Sequence, residues 1–337
     1  MKKEKQRHRI NICMLSAKIP SLYFRLFFLS FFFYTVPSQS ADEAAPKAAK
    51  NDDKLLLEKV VDNVYAIVGP LGNRTPDNLG NNATFGFVVT KEGVVLIDPG
   101  GTYKGAQRIH EVIKSVTDKP IKFVINTGGQ DHRWLGNDYF QRLGAKVIAS
   151  KHAVADQQNR LKDIFFMLSN TAGDKAMEGT VETYADIQFD QRHEFSLGEF
   201  RFEIVHPSAA HSPGDAYVWL PQQKVVFSGD IIYMERLLSL MAFSSSKDWM
   251  QAFKAVEALQ PEYVVPGHGK PTTLTAAKQS TYEYLSMLRN KVGEFMDDGG
   301  VIQDVHKIDQ SQFQHLENYE LLKGRNVQQV YQEMEWE

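Results

Sequence analysis

Asp131 and His132 stand side by side in the stretch IKFVINTGGQDHRWLGN, residues 121–137. A carboxylate beside an imidazole offers an oxygen and a nitrogen donor at one point of the chain, which suits a divalent cation or proton transfer. Three further groups of the same kind follow: His211 in AAHSPGD, Asp230 in FSGD and His268 in PGHG. Each borders an apolar run that reads as a strand, and each has a glycine or proline nearby that can turn the backbone. Taken singly, a histidine or aspartate in a turn is usually a capping or hydrogen-bonding residue. Four such stations, all at strand ends, point instead to one shared centre. Oxygen and imidazole donors without sulfur suit zinc, with iron or manganese as alternatives.

The elements that must carry these groups follow from the hydrophobic pattern. Residues 121–125 form a mostly apolar, β-branched run that reads as a buried strand, ended by Asn126-Thr127-Gly128-Gly129. Further strands are expected at 60–68, 84–90, 94–98, 145–149, 195–204, 216–220, 224–228 and 263–266. Helices are expected at 103–116, at 152–168 with Ser150 as its cap, at 249–259, at 275–296 and from 316 onward. The order β-β-β-α-β-α-β-α followed by β-β-β-α-β-α has two similar halves. An α/β fold with two facing sheets and helices outside, an αββα sandwich, satisfies it.

The start of the chain is different. Residues 1–25 carry seven Lys and Arg against one acid, residues 26–36 (LFFLSFFFYTV) are almost wholly apolar, and PSQSA follows. This is the layout of a secretory signal, and its apolar core is short for a membrane span. The expectation is a signal peptide at 1–40, a flexible linker at 41–54, the main domain at 55–272 and a C-terminal helical extension at 273–337. A periplasmic or secreted location follows, the alternative being an uncleaved N-terminal anchor. Without residues 1–40 the chain keeps 31 basic and 40 acidic residues, a formal charge of about −9, so no nucleic-acid footprint is expected. The single cysteine, Cys13, lies in the signal, which removes thiolate from the ligand inventory.

Asp98-Pro99-Gly100, Asn126-Thr127 with Asp131-His132 and Gly136-Asn137, His211-Ser212-Pro213-Gly214-Asp215, Ser228-Gly229-Asp230 and Pro266-Gly267-His268-Gly269 occur in the order of the metallo-β-lactamase superfamily. The resemblance spans residues 58–272. The remainder, with its long helix and Asn326-Val327, is similar to the exported branch found beside sulfur-oxidation and quinoprotein systems. The resemblance implies the αββα sandwich, with the metal site in a groove at the edge of the two sheets. It also implies that Asp98 supports the ligand loop by hydrogen bonding.

One departure from the family pattern is decisive. The family motif His-x-His-x-Asp-His is here Gly128-Gly129-Gln130-Asp131-His132 after the Asn-Thr pair. Its leading histidines fall on Thr127 and Gly129 in one alignment, or on Gly128 and Gln130 in another, and both are gone. In the family those histidines and the residue matching His211 hold the first metal. The residues matching Asp131, His132 and His268 hold the second, with the one matching Asp230 as a bridge. The resemblance therefore implies one metal per chain, zinc foremost, on Asp131, His132, Asp230 and His268. His211 is counted with them as a metal-facing residue, the remnant of the first site, and is assigned to catalysis alongside Asp131. The expected function is an exported hydrolase in which metal-activated water attacks an ester, thioester or lactam carbonyl of a small molecule. The alternative is a non-catalytic binding or accessory protein, with a protein partner outside the cytoplasm. His206 reads as a loop histidine, Arg133 and Trp134 as groove or core, and Phe165, Phe166 and Met167 as a helix face or a substrate-facing lip.

Overall fold

The computed structural model describes residues 54–337, so the expected signal and all but the last residue of the expected linker lie outside the described part. Twelve strands are described: β1 (Leu56–Val61), β2 (Val64–Val68), β3 (Thr84–Val89), β4 (Val94–Ile97), β5 (Ile121–Ile125), β6 (Lys146–Ser150), β7 (Ile187–Phe189), β8 (Arg192–Leu197), β9 (Phe200–Val205), β10 (Tyr217–Leu220), β11 (Val225–Phe227) and β12 (Tyr263–Val265). They form a seven-stranded sheet in simple sequence order, β1 to β7, and a five-stranded sheet in the order β12-β11-β10-β9-β8.

The two-residue period of the strands divides their side chains between layers. Val95 and Ile97 of β4, and Val218 and Leu220 of β10, enter one core shared by both sheets. Their neighbours point the other way. Val94 and Leu96 pack with Ile109 and Ile113 of the helix Tyr103–Lys114, and Tyr217 and Trp219 pack with Trp249 and Phe253 of the helix Ser246–Ala258. The αββα sandwich expected from the element order is therefore the observed fold. Gly86 of β3 matters to it, because a Cβ there would strike the ring of Phe227 in the opposite sheet.

Three expected elements divide differently. Residues 60–68 contain a turn at Asp62-Asn63, where Asn63 has φ 64°, so one expected strand becomes the β1–β2 hairpin. Residues 195–204 turn at Gly198 (φ 56°) into the β8–β9 hairpin. The helix expected at 152–168 breaks at Arg160 into Lys151–Asn159 and Leu161–Thr171, and Ser150 caps the first as expected, accepting from Ala153 N. In the two hairpins a local turn residue overrides a continuous apolar pattern.

The extension packs on the same body as the sheets. The helices Glu283–Asp297 and Tyr319–Met334 place Tyr284, Leu288, Val327 and Val330 in the cluster that also holds Trp249 and Val264. Asn326, fully buried, fastens the last helix to the loop after β11. Its Oδ1 accepts from Leu240 N at 2.9 Å, and its Nδ2 donates to Leu238 O at 2.8 Å and to the Tyr284 hydroxyl at 3.1 Å. Asn326→Ala strands a buried N–H and a buried carbonyl. It is expected to lower stability by about 1–3 kcal/mol per unsatisfied group, read from the urea midpoint. Among the described residues no helix is long and apolar enough to cross a membrane.

Candidate functional site

Strands β4, β5 and β6 run parallel, and so do β11 and β12. The carboxyl ends of these strands, where α/β folds place their chemistry, deliver Asp98, Asp131-His132, Asp230 and His268. Asp98 adopts a left-handed conformation (φ 64°), unusual for a residue with a Cβ. In that pose Oδ1 accepts from Thr127 N at 2.8 Å and Oδ2 from Thr127 Oγ1 at 2.7 Å, which pins the start of the 126–131 loop.

Arg133 organises the centre. It is fully buried, and its guanidinium meets Asp230 through both ends, Nη2 to Oδ1 at 2.7 Å and Nε to Oδ2 at 3.2 Å. Nη1 donates to Asp98 Oδ2 at 2.8 Å and to Thr84 O at 3.0 Å, and Nη2 also donates to Gly267 O at 2.8 Å. One side chain thus ties β3, the loops after β4 and β5, and the turns before Asp230 and His268. Burial raises the Asp98 carboxyl to about 6 against the pull of Arg133. Burial also opposes the Asp230 carboxylate, but Arg133 and the two imidazoles outweigh it and hold the pKa well below the ordinary value.

His132, Asp230 and His268 converge, with one ligand atom from each lying within 4.8 Å of the others. His132 Nε2 is 3.5 Å from Asp230 Oδ2, and His268 Nε2 is 3.3 Å from Asp230 Oδ1. Burial first, then Arg133, depresses His132 to about 4; burial first, then Arg236, depresses His268 well below its usual value. Both shifts favour the neutral imidazole, the form that ligates a metal. His132 Nε2 is buried with no hydrogen-bond partner, an orphan of the kind an ion satisfies. Two imidazoles and one carboxylate also match the donor set of catalytic zinc sites that keep a position open for water. The trio therefore fits the expected group.

Asp131 does not join the trio. Its two oxygens are taken by Arg74, with Nε 2.6 Å from Oδ2 and Nη2 on Oδ1. Burial opposes this carboxylate too, yet Arg74 and His132 keep its pKa below the ordinary value. Arg74 comes from the loop between β2 and β3, braced by Asn78 Nδ2 to Asn73 O and Asn82 Nδ2 to Gly72 O, both 3.0 Å. The four expected ligands are thus three neighbours and one arginine-bound carboxylate.

His211 stands apart from the trio. Nδ1 lies 2.8 Å from Ser239 O, and because a carbonyl only accepts, Nδ1 carries the proton and Nε2 keeps its lone pair. Tyr233 contacts both this ring, at 6.1 Å between centroids, and His268, at 4.6 Å and stacked. His211, His132 and His268 all line one cavity of about 590 Å³. His206 faces elsewhere, its Nδ1 2.7 Å from Asp215 O and its ring 4.5 Å from that of His152.

The two glycines of the altered motif have no room for a side chain. A Cβ at Gly128 would fall on the Asp215 carboxyl, and one at Gly129 on the Asp156 carboxylate, which Arg160 holds by Nε at 2.7 Å. Trp134 is core, fully buried and stacked on Tyr184 at 5.4 Å. Met167 lines the cavity, whereas Phe166 is 74% exposed.

Fold and site together define a two-sheet α/β scaffold carrying a histidine–carboxylate centre at the edge of its sheets. Residues 80–268 match the Metallo-beta-lactamase superfamily, and the chain belongs to that family. It is 28% identical over 244 residues to a metallo-beta-lactamase type 2 from Elizabethkingia meningoseptica, covering 70% of this chain and 86% of the relative. Among solved structures, a metallo-beta-lactamase from Pontibacter korlensis superposes with a TM-score of 0.52 at 23% identity, over 68% of this chain and 98% of that one. A stereoselective inverting sec-alkylsulfatase from Pseudomonas sp. superposes with a TM-score of 0.64 at 17% identity, over 82% of this chain and half of the sulfatase.

Proposed function

We propose that the chain is an exported hydrolase of small molecules that acts through a single divalent metal, zinc foremost, held by His132, Asp230 and His268. The convergence of these three side chains, with His132 Nε2 left orphaned toward Asp230, carries the reading. An ion held there would lower the pKa of a bound water toward about 7 and so supply hydroxide near neutral pH. His211 serves as the base: its Nδ1–H is fixed on Ser239 O, and burial lowers its pKa, which favours the neutral ring with a free Nε2 lone pair. Arg133 keeps Asp230 ionised and in place. Carbonyl chemistry on an ester, thioester or lactam is the class carried over from the family resemblance.

Elemental analysis after zinc supplementation should give one equivalent per chain. His211→Ala should keep that equivalent while losing about 10²–10⁴-fold in turnover, measured across an ester, thioester and lactam panel. Loss of the metal with His211 would make it a ligand instead.

A second reading, a binding protein without catalysis, is favoured by one observation. Arg74 already neutralises Asp131, and the second nitrogens of the trio's rings face guanidinium donors. His132 Nδ1 is 3.2 Å from Arg74 Nη2, and His268 Nδ1 is 3.5 Å from Arg236 Nη1. Metal-bound imidazoles ordinarily donate from that nitrogen to an acceptor. Absence of bound zinc at saturating concentration would decide for this reading.

A further inference from the structure

Arg74 reaches the centre from outside the family match, which begins at residue 80. It grips Asp131 at both oxygens, Nε to Oδ2 at 2.6 Å and Nη2 to Oδ1, and Nη2 also lies 3.2 Å from His132 Nδ1. One guanidinium therefore engages both members of the Asp131-His132 pair. A guanidinium has hydrogens to give and no lone pair to offer, so it casts His132 Nδ1 as an acceptor and puts the ring proton on Nε2. That nitrogen is the one facing Asp230, and it can take an ion only when the proton sits on Nδ1. The contact thus opposes the tautomer that metal binding needs.

The placement of Arg74 is built into the loop between β2 and β3. Asn78, 1% exposed, brackets it on both sides: Nδ2 donates to Asn73 O and Oδ1 accepts from Thr75 N, both at 3.0 Å. Gly72 O accepts from Asn82 Nδ2, and Leu71 O from Asn318 Nδ2, again at 3.0 Å. Burial opposes the charge of Arg74, yet Asp131 and then Asp230 outweigh it and raise its pKa, so the cation persists. Held this way, with Asp131 sealed from water, the arginine competes strongly for that carboxylate. Arg74 lines the same cavity as His211 and, from the last helix, Leu322 and Arg325, so an ion arriving from solvent meets it.

We propose that Arg74 is a latch on the metal centre: it withholds Asp131 from the ion, so that the centre binds through three protein side chains and more weakly than its four-residue inventory allows. The inference rests on the reading of the trio as a metal site. It concerns ligand number and affinity, not turnover.

The test follows zinc affinity by calorimetry and ligand number by the visible absorption of bound Co²⁺, on the chain stripped of metal. Arg74→Gln should bind zinc about tenfold more tightly than the parent, and its Co²⁺ spectrum should change as Asp131 enters the coordination shell. The spectrum follows the ligand set and its geometry, so a change of charge alone does not move it. Adding Asp131→Asn should reverse the spectral change and weaken zinc again. The double variant has the net charge of the parent, so it should bind zinc no more weakly than the parent and give the parent's spectrum. It leaves no charge stranded, and it decides even if Arg74→Gln does not fold. An unchanged spectrum in Arg74→Gln, or a loss of about tenfold in the double variant, would overturn the latch and leave the trio as a metal site. Metal binding by Arg74→Gln but not by the parent would support the latch and remove the hydrolytic reading. Binding by neither would remove both.

Discussion

Replacing Arg133 by methionine is expected to be the most destabilising single change in the molecule, costing about 3–5 kcal/mol. The substitution fits the volume but leaves two carboxylates, Asp98 and Asp230, without their shared counter-charge, and two carbonyls, Thr84 O and Gly267 O, without a donor. Both carboxylates are essentially sealed from water, so solvent offers no substitute. Against a total stability of about 5–15 kcal/mol, a loss of this size removes a large share. Arg133→Lys should recover only part of it, because one ammonium lacks the planar fork that grips Asp230 at two points while also reaching Asp98. Chemical denaturation of both variants checks this. A cost below about 1 kcal/mol for Arg133→Met would mean that the two acids are satisfied in some other way.

The second large effect falls on Asp230. It is the only carboxylate of the trio, lying between the two imidazoles, so Asp230→Asn keeps the shape and removes the charge a cation needs. Zinc at a hundredfold excess over its dissociation constant should stabilise the wild-type chain by about 2.7 kcal/mol and the variant not at all. Turnover should fall to background. The same change leaves Arg133 with Asp98 as its one remaining charged partner, so the metal-free variant should also melt below the metal-free parent. Comparing the melting temperatures of both proteins with and without zinc separates the two effects. Retention of the zinc-induced shift in Asp230→Asn would remove the trio from the metal reading.

Much of the scaffold is legible in the sequence because burial dictates it locally. The alternation Val94-Val95-Leu96-Ile97 needs an apolar partner on each face, and the fold supplies the second sheet on one and a helix on the other. What escapes is decided by single turn residues. Asn63 and Gly198 each divide a stretch whose hydrophobicity alone reads as one strand. The site divides in the same way. His132, Asp230 and His268 are legible because glycine-marked loops at strand ends announce them. The arginines are not, since Arg74, Arg236 and Arg325 sit in segments with no distinguishing pattern and meet only across separations that no local rule reports. Arg133 had a visible signal, its place next to Asp131-His132. Only the fold shows that its charge turns inward, to hold Asp98 and Asp230, rather than toward the groove.

Ser239 faces two ways. Its carbonyl orients His211 and its hydroxyl holds Arg325, while Asn326 clasps the backbone on both sides of it. The outline of the family and the outline of the working groove consequently end at different places along the chain. A protein trimmed to residues 80–268 would lack the β1–β2 hairpin, Arg74 and the C-terminal helices that complete the core over the second sheet. It would forfeit the strut behind its base and one wall of its vestibule.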